Sequence, residues 1–350
     1  MKIPQANKSK LSNKEKANIL KELKIVSRSF YLTLRVLPDK IFAPAGVAYL
    51  IARYIDNIVD DKSIPINYKK DHLYKIRESF TTNTINGNLD EFPICKTEKS
   101  DTKISTYKDL FDTLSSKDQI LVSKVLLEIT DGMIFELKKF GEYSPNELKP
   151  LSTYNELDNY IYKIAGSVGE FFTGLILLHE QKLKLSNPDY LFEMGICFGK
   201  ALQLTNIIRD FKTDLNEGKC YLPETSLANH KIHPPDLLHY SQDKISIALA
   251  ELLQLATQYY SNASTYILFI PKSCPRLRLA ALWPLLIGVE TLQILASGRE
   301  SHNSNRPIKV KRSWIYLMIM KSTLVIHNDK LLKFIIEKQI QKLKDKIGGI

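Results

Sequence analysis

Two stretches of the chain hold residues whose types and spacing suit metal-assisted phosphate chemistry. The first is Asp56-Asn57-Ile58-Val59-Asp60-Asp61, the second Asn206-Ile207-Ile208-Arg209-Asp210-Phe211-Lys212-Thr213-Asp214. Each sets two aspartates four residues apart inside an apolar pattern of helical period. On a helix, residues i and i+4 stand one above the other, about 6 Å apart along the axis. Two carboxylates held that way repel each other and gain nothing from burial, unless a cation sits between them. Mg²⁺, or Mn²⁺ in its place, takes one or two carboxylates and fills its other positions with water and substrate phosphate oxygens. Acidic pairs at this spacing also decorate solvated helix faces, but the flanks here are apolar. Asp56 and Asp60 follow Val47-Ala48-Tyr49-Leu50-Ile51-Ala52, and Asp210 and Asp214 follow Leu202-Gln203-Leu204-Thr205-Asn206-Ile207-Ile208. Acids at the ends of apolar helices suggest a cavity mouth, where two such pairs could clamp a diphosphate through several metal ions.

The elements that must position these acids are helices. Glycine is scarce, at 14 residues, and apolar spacings of three and four dominate, so the chain reads as all-α. Ser12 and Glu15 have capping-box spacing and open a first helix leading into Ser27-Arg28-Ser29-Phe30. Pro38 breaks the chain before the helix that delivers Asp56 and Asp60. Residues 81–103 read as a polar surface loop or insertion. Thr153 and Glu156 repeat the capping-box spacing ahead of a helix over residues 155–181. Its middle holds Gly166 and Gly169, each costing roughly 1 kcal/mol relative to alanine. Either a neighbouring helix or a ligand must approach closely there. A helix over residues 188–216 carries the second pair and stops at Gly218, with Lys219 directly after. Helices follow over 242–269 and 275–296. A basic amphipathic helix over 328–347 closes the chain, suited to a membrane surface but expected as the last packing helix.

Composition narrows the function. Hydrophobic content of 44% and charged content of 25% are ordinary for a globular protein. The net charge of +11 could attract nucleic acid, anionic lipid or a phosphorylated substrate, but no nucleic-acid motif accompanies it. Four scattered cysteines point away from a disulfide framework and from zinc, and towards a reducing, cytoplasmic setting. Residues 1–11 form a polar, basic tail without an apolar leader region. Leu279 to Ser297 is apolar but interrupted by Pro284 and Glu290, and reads as a buried helix. No P-loop, dinucleotide fingerprint or zinc-helix motif occurs, and no serine has a recognisable histidine partner. The expectation is a single domain over residues 1–350, monomeric.

Together these stretches resemble the squalene/phytoene synthase family. Ser27-Arg28-Ser29-Phe30, Asp56-x-x-x-Asp60-Asp61, Tyr160 with Ala165-Gly166-Ser167-Val168-Gly169, and Gln203-x-x-Asn206-Ile207-Ile208-Arg209-Asp210-x-x-x-Asp214 occur in the family's order. The match runs from about Ser27 to Arg312. Tyr49 and Arg53, the phrase from Leu202 to Asp210, and Lys309-Val310-Lys311-Arg312 are more similar to the squalene-forming branch. The resemblance implies an isoprenoid-synthase helical bundle around one large central cavity. It implies head-to-head joining of two farnesyl diphosphates through presqualene diphosphate, then reduction by NADPH, with transient membrane-surface contact. It assigns metal binding to Asp56, Asp60, Asp61, Asn206, Asp210 and Asp214, and catalysis to Tyr160 with the four paired aspartates. Substrate contact falls to Ser27, Arg28, Phe30, Tyr49, Arg53, Gln203, Arg209 and Lys219, with Ile164, Ala165, Val168 and Phe172 as an apolar wall. Cofactor contact falls to Ser27, Arg28, Lys309 and Lys311. Lys219 departs from the family's usual arginine, keeping charge without bidentate geometry, and Cys220 is a second departure. The alternatives are a phytoene or dehydrosqualene synthase that omits reduction, and a non-catalytic helical scaffold, which has no need of four clustered acids.

Overall fold

The computed structural model describes residues 13–26, 28–81, 104–141, 148–180, 187–237, 240, 242–297 and 308–349. Ser12 and the 82–103 part of the expected loop lie outside them. Chain contacts group into two compact units, one of residues 1–137 and 171–181, the other of residues 138–170 and 182–350.

The first unit is built on α3 (Asp39–Asp60), entered through α1 (Asn13–Val26) and α2 (Arg28–Val36) and followed by α4 (Ile66–Thr81), α5 (Ile104–Asp112) and most of α6 (Ser116–Phe140). Pro38 stands at the N-cap of α3, where it has no helical N–H to forfeit. The α3 core face is Ile41, Phe42, Val47, Leu50, Ile51, Ile55 and Ile58, all buried. A buried lysine on α4, Lys69, donates to the Val59 carbonyl at 2.5 Å and so fixes the last turn of α3.

The second unit has α9 (Pro188–Asn216) as its hub. Asn187 caps it, accepting from the Tyr190 N–H. The buried face of α9 runs from Leu191 and Phe198 to Ile207, Ile208 and Phe211, and opposite it lies a polar stripe of Asp189, Glu193, Lys200 and Gln203. Around it pack α7 (Tyr154–Ile161), α11 (Gln242–Phe269) and α12 (Pro275–Ala296); α14 (Asp329–Ile347) lies against α11 and α12. The Thr153 hydroxyl accepts from the Glu156 N–H at 3.2 Å, as the capping spacing predicts, whereas the Glu156 carboxylate takes the Ser152 N–H. The all-α expectation holds; beside the helices are two short parallel strands, β1 (Pro150–Leu151) and β2 (Cys220–Pro223). They are followed by the short helix α10 (Glu224–Asn229), tied to α11 where Ser226 donates to Glu251 at 2.6 Å.

The expected helix over 155–181 runs from Tyr154 to His179, widened by a π-turn in its middle. After α7 comes a wide π-turn, Tyr162–Gly166, and only then α8 (Ser167–His179). The reason is packing against α9. A Cβ on Gly199 would lie 1.9 Å from the Ala165 carbonyl oxygen, and one on Gly169 would lie 1.9 Å from that of Gly195. Of the two glycines that sequence left open between packing and ligand contact, Gly169 packs against the α9 backbone, and Gly166 against the side chains of Tyr162, Ile196 and Lys200.

Among the described residues two helices are long and apolar enough to cross a membrane, Tyr154–His179 and Pro275–Ala296. The second is a core helix. Its Arg278 is 1% exposed and donates to the Ile270 carbonyl (2.6 Å), the Ile326 carbonyl (3.0 Å) and Asp329 (2.6 Å). The terminal helix α14 buries Leu332, Ile336, Ile340, Leu343 and Ile347, the packing role expected of it.

Candidate active site

In the first unit, Tyr49, Arg53, Asp56 and Asp60 occur at spacings of four, three and four along α3, which puts them on one helix face. The Arg53 guanidinium donates to the Asp56 carboxylate. Even so, the Asp56 pKa is raised to about 6. Burial is the main cause, and the nearby Asp60 and Glu136 carboxylates add repulsion that Arg53 only partly offsets. Glu136, on α6, is a residue that sequence reading missed; its one signal was a lone acid in the apolar run Met133-Ile134-Phe135-Glu136-Leu137. Asp61 behaves differently. Its carboxylate accepts from the Ser63 N–H (2.9 Å) and hydroxyl (2.6 Å), which hold its pKa below the usual value.

In the second unit, Gln203, Asn206, Asp210 and Asp214 share one face of α9 at spacings of three, four and four. Arg209 grips Asp210 through two hydrogen bonds, Nε to Oδ1 at 2.9 Å and Nη2 to Oδ2. That pairing, with Asp214 adding attraction, raises the Arg209 pKa. Asn206 is exposed and donates to Gln203 at 3.4 Å. Behind this face the Thr205 hydroxyl meets the buried Tyr260 hydroxyl at 2.8 Å. Gly288 makes room for it, since a Cβ there would lie 1.9 Å from the Tyr260 oxygen. After α9, Gly218 takes a left-handed φ of 82°, as expected of a helix-ending glycine. The Lys219 N–H then donates to the Asp214 carbonyl at 2.8 Å, which returns the chain towards the acids.

Tyr160 is buried, its ring stacked on Tyr221 at 5.1 Å between centroids, with the hydroxyls 3.4 Å apart. Phe140 meets the Tyr221 ring edge-on. Tyr221 sits on β2, whose pairing with β1 brings it there, a non-local placement no spacing in the sequence encodes. Cys220 next to it is fully buried, its thiol pushed up to about 12, so it is chemically inert. Ile164, Ala165 and Val168 are half-buried around the π-turn, with the Ala165 carbonyl committed to Gly199. Phe172, half-buried on α8, belongs to the first unit. Lys309 and Lys311 are exposed ahead of α13 (Arg312–Val325). Ser27 lies outside the described residues, as do the side chains of Arg28 and Phe30.

Among the described residues no three His, Cys, Asp or Glu side chains form a ready-made metal cage. Paired carboxylates fit Mg²⁺ nonetheless, because that ion keeps waters and takes phosphate oxygens as further ligands. The like-charge crowding that lifts Asp56 is what such a cation would relieve.

The family model for squalene/phytoene synthase matches residues 23–314. Squalene synthase of Saccharomyces cerevisiae is 26% identical over 307 residues, covering 86% of this chain and 65% of that protein. The bifunctional lycopene cyclase/phytoene synthase of Podospora anserina is 27% identical over 283 residues, 77% of this chain and 44% of that protein. The chain thus spans less than two thirds of these relatives' lengths. A solved structure of TcSQS with a bound ligand superposes with a TM-score of 0.69 at 19% identity, covering 95% of this chain and 98% of that one. That likeness is one of fold. With the family model spanning both acidic stretches and the tyrosine between them, the chain belongs to the squalene/phytoene synthase family.

Proposed function

We propose that the chain is a squalene synthase, joining two farnesyl diphosphates head to head through presqualene diphosphate and reducing that intermediate to squalene. One observation carries the reading: each aspartate pair comes with its own arginine in direct contact, Arg53 on Asp56 and Arg209 on Asp210. Carboxylates and guanidiniums side by side are what a metal-bridged diphosphate needs. Mg²⁺, when bound, supplies Lewis-acid stabilisation of the departing diphosphate. On this reading Asp56 and Asp60 serve one diphosphate, and Asp210, Asp214 and Asn206 the other. The arginines and Lys219 add charge-assisted hydrogen bonds to the same oxygens.

Loss of diphosphate leaves an allylic cation, which the double bond of the second substrate attacks; a proton is then lost as the cyclopropane closes. Tyr160 suits that step, because its ring face stabilises a cation and its hydroxyl has Tyr221 as a hydrogen-bond partner for a shifting proton. Ile164, Val168 and Phe172 present apolar surface that would keep water from the cation. Ser27, Arg28, Lys309 and Lys311 are the groups assigned to the phosphates of NADPH. The enzyme works from the cytoplasmic side, meeting the bilayer that takes up its apolar product.

The family also contains phytoene synthases, and omission of the reduction is the second reading. Incubation of purified protein with farnesyl diphosphate and Mg²⁺, with and without NADPH, separates the two. Squalene formed only with NADPH is the expected result. An unreduced polyene in both tubes would overturn the reductive half of the proposal, and no product in either would overturn both halves.

A further inference from the structure

Helix α13 breaks the burial rule that the other helices of the second unit obey. Its sequence, RSWIYLMIMKSTLV, is as apolar as a core helix, yet only Met318 and Ser322 are buried. Ser322 accepts a hydrogen bond from the buried Trp283 indole at 3.0 Å, which fixes which side faces inward. The outward side is apolar: Tyr316 is 70% exposed, Met320 54% and Leu324 78%, with Leu317 beside them. The neighbouring α14 continues it with Leu331 and with Phe334, 60% exposed. Between the two helices runs a groove of about 260 Å³, walled by Leu317, Phe334 and Ile335 and edged by Lys321, Lys338 and Lys342. Exposed apolar surface of this extent carries a free-energy cost in water unless something covers it.

The charge around the patch indicates what covers it. Residues 308–349 contain ten lysines and arginines against three acids, a large share of the excess of the whole chain. Two of those acids are taken, Asp329 by the buried Arg278 and Glu337 by Lys333. The lysines edge the apolar side rather than opposing it, and Lys338 lies over the Phe334 ring at 5.6 Å. Apolar side chains bordered by flexible cations suit the boundary between acyl chains and anionic headgroups. A second protein copy would have to bring the same cations face to face.

We infer that the outer face of α13 and the adjoining face of α14 form a docking surface for an anionic lipid bilayer. The proposal gives the membrane contact of the preceding section an address, resting on that reading for its purpose alone. Vesicle binding is read without substrate, so it stands or falls separately from the product assay.

The test is co-sedimentation of the full chain with phosphatidylcholine vesicles and with mixed phosphatidylcholine/phosphatidylglycerol vesicles. Binding to the mixed vesicles that weakens with salt is expected. The double variant Tyr316→Glu/Leu324→Glu should bind at least about tenfold more weakly with an unchanged melting temperature, because the two side chains are 70% and 78% exposed. Lys338→Gln/Lys342→Gln should weaken binding by roughly fivefold per cation removed and provides a test that does not touch the apolar residues. Wild-type affinity in both double variants overturns the inference. So does a wild-type chain that ignores both vesicle types but self-associates through Tyr316 and Leu324.

Discussion

Asp56 carries the clearest electrostatic signature of the candidate site. Its pKa of about 6 exceeds the unperturbed 3.8, so the ionised form is the one that folding disfavours. The sign follows: the group's favourable contribution is complete below about pH 4 and is lost as pH rises through about 6. The carboxylate is a third exposed, so after solvent screening the effect is on the order of 1 kcal/mol. A cation at the site reverses it. Millimolar Mg²⁺ should therefore raise the melting temperature more at pH 7.5 than at pH 5.5, as differential scanning calorimetry would register; an equal rise at both would separate Asp56 from the metal. Asp60→Asn removes one of the two repulsive neighbours and should move the Asp56 titration, followed by carboxyl NMR, part of the way back towards 3.8. The same variant should cost on the order of 10²–10³ in turnover, with the fold intact because Asp60 is exposed.

At the scale of elements, the junction of the π-turn with α9 sets where the second acidic face points. Gly199→Ala drives a methyl into the Ala165 carbonyl and should destabilise by about 2–3 kcal/mol. Gly174→Ala meets only the flexible end of Leu121 at 3.1 Å and should be nearly neutral, so denaturant unfolding of the two variants side by side checks the assignment. Much of this level was legible in the sequence. The bounds of α9, α11 and α12 follow from their apolar periods and from terminal signals such as Pro188, Pro275 and Gly218. The Arg53–Asp56 contact follows from i,i+3 spacing. The π-turn did not, because Tyr162–Gly166 has no side-chain code for a wider turn; only its glycines hinted at a close approach. Tyr221 and Glu136 were hidden too, since each reaches its partner across a long sequence separation. The solvent-facing apolar side of α13 ran against its own pattern, which reads like that of a buried helix.

At the scale of the molecule, the fully buried Arg278 binds the end of α11, the link after α13 and the start of α14 to one guanidinium. Arg278→Met keeps the volume but strands the two buried carbonyls, while Asp329 is solvated, and should cost about 2–4 kcal/mol, read as a lower melting temperature with loss of protection in α14 by hydrogen exchange. A last consequence follows from how the two units share the chain. The first unit includes residues 171–181, which follow part of the second in the chain, and α8 itself begins in one unit and ends in the other. Neither unit is therefore a module that gene rearrangement could lift out or exchange. Inheritance acts on the pair as a whole.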